Sequence, residues 1–262
     1  MKPVYLVVTF LFMGLFSFGR DIIYLQPGAQ AKSEREAIVI LAGLGSKVHN
    51  ERKIAQHFKN KGYDIYQPSY IYRKGLDKGA DKLTRFSGKY DLKSYKKVHF
   101  FCYIIGSWTF NRWYEKSVLK NIETVVYDRS PLQERAPYSL MKDSKFIAFL
   151  VIGKVNDELA LTPYPPLKNF EGKIGLLIET VPTKLIQRHR KTAASLGPVN
   201  WSVEALRQSH TDYCYVPVNH DEMYTHIEKV SPEVFSFIKT GSFGEQANRI
   251  APTVDPLIVK SL

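Results

Sequence analysis

The stretch Val98–Trp113, VHFFCYIIGSWTFNRW, decides how this chain folds. It opens as an apolar run rich in β-branched and aromatic residues, which reads as a buried strand. The chain turns sharply near Tyr103–Gly106 and then shows the helical spacing of Trp108, Asn111, Arg112 and Glu115. A strand, a tight turn and a helix in this order can present a nucleophile at the turn, in the pattern G-x-S-x-G. The five positions here are Cys102, Tyr103, Ile104, Ile105 and Gly106. Isoleucine stands at the apex, Ile104, and only the last glycine is present.

Alternating strands and helices extend outward from this stretch on both sides. Ala37–Leu41 reads as a short buried strand running into the glycine-rich turn Ala42-Gly43-Leu44-Gly45-Ser46. A helix is predicted from about Asn50 to Lys61, stopped by Gly62, and Tyr63–Gln67 is the next strand, ended by Pro68. A charged, helix-compatible segment covers Leu76–Phe86. Beyond the central stretch, Glu123–Tyr127 is a strand followed by the loop DRSPLQERAP. Ser139–Leu161 is predicted helical and forms a small cap, with Phe146–Ile152 apolar enough to be buried. Ile174–Ile178 is a strand, Thr183–Ala194 a basic helix, Thr211–Val218 the last strand and Asn219–His226 a loop. Ser231 is the expected N-cap of a final helix with Pro232 in its first turn. The expected fold class is therefore α/β, a mostly parallel central sheet with helices on both faces. The site should lie in loops at the strand carboxyl ends.

The chain has 262 residues, 44% hydrophobic and 24% charged, an ordinary globular composition. It starts Met1–Lys2 and continues with an apolar run from Pro3 to Gly19, which reads as a secretory signal or a signal anchor. Ser17-Phe18-Gly19 offers a small-x-small cleavage site, and no cysteine is placed for a lipoprotein anchor. The expected organisation is residues 1–19 as signal or anchor, 20–36 as linker or edge strand, 37–244 as the domain, and 245–262 as a loosely attached tail. The expected location is exported or membrane-anchored. Cys102 and Cys214, in or beside strands of one sheet, are expected as two separate buried thiols.

Lys and Arg number 37 against 25 Asp and Glu, for a net charge of +12. The excess is densest in Arg73–Lys97. Such a field draws a protein to an anionic membrane surface or an acidic polymer, or it is a solvated basic face. No nucleic-acid recognition module is visible, and nucleic acid is not an expected partner.

On these motifs the chain resembles bacterial α/β-hydrolases of the esterase and triacylglycerol-lipase kind, from Ala37 to about Gly244. The similarity lies in an ordered set. Ile40-Leu41-Ala42-Gly43-Leu44-Gly45 resembles the strand and turn that supply an oxyanion-hole amide. Gly62-Tyr63-Asp64-Ile65 resembles the family's Gly-Tyr-x-Val strand, and Val98–Ser107 its elbow. Ser130-Pro131-Leu132-Gln133 resembles a Ser/Thr-Pro-x-x-Gly loop, with Glu134 in place of the glycine. Val216-Pro217-Val218-Asn219-His220 stands where the family carries its histidine, and Phe235–Gly244 where it has its last helix.

The resemblance implies His220 as base, Glu179 as orienting acid and Gly43, Leu44 and Ile105 around an oxyanion cleft. It implies an acyl-containing small molecule or lipid as the cleft's occupant. Glu179 also reads as a strand-end carboxylate paired with Lys184 or Arg188. The nucleophile is the departure, because Ile104 has no proton to lose and no lone pair to attack with. Its β-branched side chain would be strained at positive φ, so the turn should relax. Ser107, expected to cap the helix, and Cys102, expected within the strand, are the substitutes within reach. No metal is expected, since His220 and His226 are six apart and lack the spacing of a zincin helix. No cofactor is expected either, since Gly43-Leu44-Gly45 lacks the lysine of a phosphate loop. Three functions remain open: an impaired hydrolase that binds, an esterase or lipase-like enzyme with an unusual nucleophile, and a basic envelope-surface interaction protein.

Overall fold

The computed structural model describes residues 20–28, 30–44 and 48–258. The expected signal or anchor at 1–19, the end of the glycine turn at Gly45-Ser46 and the last four residues lie outside the described residues. The frame is one seven-stranded sheet in the order β1-β3-β2-β4-β5-β6-β7. Its strands are β1 (Ile22–Tyr24), β2 (Glu36–Leu41), β3 (Asp64–Gln67), β4 (Lys97–Cys102), β5 (Ile122–Arg129), β6 (Lys173–Glu179) and β7 (Asp212–Val216). All neighbouring pairs are parallel except β1 with β3, so residues 20–36 do hold an antiparallel edge strand.

Helices cover both faces, as the unbroken apolar runs require. In chain order they are α1 (Val48–Phe58), α2 (Leu76–Lys89), α3 (Ile104–Tyr114), α4 (Ala136–Val151), α5 (Lys154–Leu161), α6 (Lys184–Arg188), α7 (Arg190–Ala194), α8 (Glu222–Thr225) and α9 (Ser231–Thr240). The two-residue repeat of the strands divides the core between the faces. Phe100 and Cys102 pack toward α2 and α3 with Leu83, Phe86, Phe110 and Trp113. Phe101 and Tyr103 pack toward α1, α8 and α9 with Phe58, Met223, Tyr224 and Phe237. Cys102 and Cys214 fall on opposite faces, and both are free, buried thiols.

Several expectations need correction. Phe146–Ile152 is not a buried run: Phe146, Phe149 and Leu150 are exposed, while Ala148 is buried and Ile152 packs partly buried under the cap. The cap is two helices, α4 and α5, separated at Gly153, and α4 itself breaks at Ser144 (φ −150°, ψ 42°). Thr183–Ala194 is also two short helices, with Thr183 Oγ1 accepting from the Ile186 amide as N-cap. The Asn219–His226 loop contains α8. Ser231 does not cap α9; its hydroxyl bonds His57 Nε2 at 2.7 Å. The tail after Gly244 is not loose as far as residue 258. Asp212 pairs with Arg249 at 2.8 Å, Asp255 accepts from the Val199 amide, and Leu257 is buried. No helix among the described residues is long and apolar enough to cross a membrane.

Candidate active site

The carboxyl ends of β2, β4, β5 and β6 meet the loop after β7 at one point. The Tyr103 amide donates to the Leu41 carbonyl, which prolongs the β2–β4 ladder by one residue. Tyr103 then ends the strand at φ −65°, ψ 167°, and α3 starts at Ile104. No residue between 98 and 113 has a positive φ. The turn has relaxed, as a β-branched apex requires. Gly106 keeps its reason to be glycine, since a Cβ there would stand 2.6 Å from the Leu41 carbonyl oxygen.

The structure brings His220 and Glu179 together. His220 Nδ1 lies 2.8 Å from Glu179 Oε1 and 3.3 Å from Asp128 Oδ2. Asp128, near the end of β5, is fully buried, as is Glu179, and His220 is only 7% exposed. Glu179 therefore serves the histidine, and the alternative pairing with Lys184 or Arg188 does not form. Burial and the neighbouring Asp128 push the Glu179 carboxyl well above its ordinary range, against the opposing pull of His220. Burial alone would lower the His220 imidazole. The charge of Glu179 and the hydrogen bonds that Asp128 and Glu179 accept from the ring outweigh it and raise the imidazole to about 10. Among the described residues, these three are the one group of His, Cys, Asp or Glu whose donor atoms lie close enough to hold a metal, within 4.8 Å of one another.

Sequence reasoning missed Tyr224. Its hydroxyl accepts from the Gly43 amide at 2.7 Å and lies 3.5 Å from His220 Nε2. A Cβ on Gly43 would stand 2.1 Å from that oxygen, so only glycine fits. The ring stacks on Tyr103, with centroids 4.5 Å apart and planes at 12°. Tyr103 in turn donates its hydroxyl to the Met223 carbonyl at 2.9 Å. Burial holds both phenols well above their ordinary value. The signal for Tyr224 was its place four residues after His220; that for Asp128 was an acid closing an apolar strand.

The other named residues lie apart. Ser107 does not cap α3. It sits in the helix's first turn, and its hydroxyl donates back to the Ile104 carbonyl at 2.7 Å. Ile105 packs under the cap with Leu76, Trp108 and Val155, and partly buried Leu44 joins them. Cys102 is fully buried, and burial pushes its thiol well up. His226 turns to Glu228 and Glu222 to Lys229, away from His220. Glu134 clasps the buried Arg129 guanidinium at 2.6 and 3.0 Å, which gives the substituted loop residue a structural duty. Among the described residues, two cavities lie away from this cluster. One of about 300 Å³ lies beside the cap, between Pro131, Tyr138, Leu196 and Leu206. The other, about 190 Å³, sits at the opposite end of the sheet around His99.

No family model matches the sequence. No curated protein matches it either. Solved structures do. A lipase-esterase related protein from Clostridium acetobutylicum is 12% identical, with 83% of this chain and 98% of that chain covered at a TM-score of 0.51. An esterase of Pyrococcus furiosus is 15% identical over 79% of this chain and 82% of its own, at 0.49. An α/β hydrolase enzyme from a lagoon-sediment metagenome is 18% identical over 83% and 98%, at 0.46. At such identities the likeness is one of architecture. By its strand order and by its likeness to the Clostridium protein, the chain has an α/β-hydrolase-like fold.

Proposed function

We propose that this protein uses an esterase- and lipase-like fold without ester hydrolysis, and works by binding. The observation that carries this is the position of the Tyr224 hydroxyl. It fills the space between the Gly43 amide and His220 Nε2, where an acyl enzyme would need a substrate oxygen. The apex of the turn is Ile104, which cannot attack. The paired carboxylates Glu179 and Asp128 raise the His220 imidazole and hold the proton that a general base must lack.

The cleft's acyl or lipid ligand, inferred from the resemblance, is moved by this reading to the 300 Å³ cavity beside the cap, away from the filled centre. Export or anchoring through residues 1–19 rests on their sequence and goes with a task in the cell envelope. The test is incubation of the full chain with a fluorophosphonate probe and with short and long acyl esters of p-nitrophenol. Neither labelling nor turnover is expected. Stoichiometric labelling that disappears in Ser107→Ala, or turnover that disappears in His220→Ala, would overturn the proposal.

A further inference from the structure

After the break at Ser144, α4 turns a face to solvent that the sequence leads one to bury. Phe146 is 73% exposed, Phe149 55% and Leu150 50%. They are spaced i, i+3 and i+4, so they form one surface. Lys142 and Lys145 are exposed beside them. Arg73 donates to the Phe149 carbonyl at 3.2 Å and to the Leu150 carbonyl, which places its cation at the same helix end, with Lys74 exposed next to it. Two acids of the cap are already engaged. Asp143 holds His189 at 2.7 Å and Thr192 at 2.6 Å, and Glu158 accepts from the Leu76 amide at 2.8 Å. Large apolar side chains ringed by cations fit neither ordinary solvent exposure nor an acidic soluble groove.

The cations around this face and the place where the described chain begins point to what covers it. β1 runs antiparallel to β3, with Ile22 opposite Gln67 at the carboxyl end of β3. Asp21 accepts from the Ser69 amide at 3.0 Å. Four residues later Arg73 bonds the end of α4. The described chain thus begins at the carboxyl end of β3, the end from which the segment carrying Arg73 to α4 departs. We infer that Phe146, Phe149 and Leu150, with Lys142, Lys145, Arg73 and Lys74, form a docking surface for an anionic phospholipid bilayer. The aromatic and leucine side chains enter the headgroup region and the cations meet lipid phosphates. This inference stands whether or not the site at His220 turns over esters.

The experiment uses the full chain bound to phospholipid vesicles with brominated acyl chains, comparing vesicles with and without phosphatidylglycerol. Phe146→Trp supplies the reporter and Phe149→Trp a second one. Both positions are exposed, so the substitutions should fold. Trp108, Trp113 and Trp201 are buried, and the unsubstituted chain sets their background. Quenching of the added indole is expected on vesicles with phosphatidylglycerol. It should fall at least about twofold in Lys142→Glu/Lys145→Glu and at about 1 M salt, where screening is short-ranged. A vesicle-bound chain with an unquenched indole would overturn the proposal. So would equal quenching on phosphatidylcholine alone. An indole shielded without lipid, in a particle of doubled mass, would make a second copy the occupant and also overturn it.

Discussion

The Gly43 amide donates to the Tyr224 hydroxyl across 181 residues of chain, at 2.7 Å and in full burial. This bond joins the loop after β2 to the helix that follows His220. Tyr224→Phe keeps the stack on Tyr103 and leaves the amide without its acceptor. A buried donor left unmade costs about 1–3 kcal/mol. Urea unfolding should show that loss, with an unchanged slope. A variant as stable as the wild type would show that the bond does not matter to folding.

The His220 cluster makes stability depend on pH. The imidazole is raised from 6.5 to about 10 in the fold. Its contribution is complete below the unfolded value and is lost as pH rises through about 10. Glu179, also raised, acts in the same direction. Unfolding midpoints should therefore fall between pH 7 and pH 10. In Glu179→Gln the largest charge that holds the proton is gone, so the ring should titrate lower. Proton NMR of the His220 ring reads this directly, and a wild-type ring titrating near 6.5 would contradict it.

Arg129 is buried at the sheet end, with Tyr164 beneath its guanidinium at 3.7 Å and Glu134 as its counter-charge. Glu134→Gln removes the charge and leaves the cation. Breaking a buried pair from one side costs about 3–5 kcal/mol, and the partial exposure of Glu134 puts this one toward the lower figure. Thermal unfolding should detect it, and an Arg129→Met/Glu134→Leu double variant should recover much of the loss.

Gly106→Ala tests why one glycine of the turn is present. The added methyl meets the Leu41 carbonyl oxygen at 2.6 Å and the Leu41 Cβ at 2.8 Å, both on a central strand. Overpacking of this kind costs about 1–3 kcal/mol. Gly88→Ala, on α2 with open space around it, is the control and should be nearly neutral or slightly stabilising.

The sheet was readable in the sequence because its strands are continuous apolar runs bounded by Gly, Pro and charge. Strands β2 to β7 were each placed to within a few residues, and β1 was one of two readings of residues 20–36. The pairing of His220 with Glu179 was readable from order along the chain. Asp128 and Tyr224 were not, because their roles depend on distances across strands and loops that periodicity does not encode. The misjudged segment was Phe146–Ile152. Composition there says core, and only the packed position of α4 shows which side chains face out. Ser231 misled for a similar reason: its hydroxyl has a partner, but in α1 and not in its own helix.

The loops after β2 and β7 and the carboxyl ends of β5 and β6 are tied together by Gly43, Asp128, Glu179, His220 and Tyr224. Each tie spans a long separation in sequence, so these contacts close late in folding and hold the top of the sheet shut. Selection for a chain that folds would then suffice to retain an acid and a histidine in register. A clasp of this kind needs an acid and a histidine in register whether or not the chain turns over an ester.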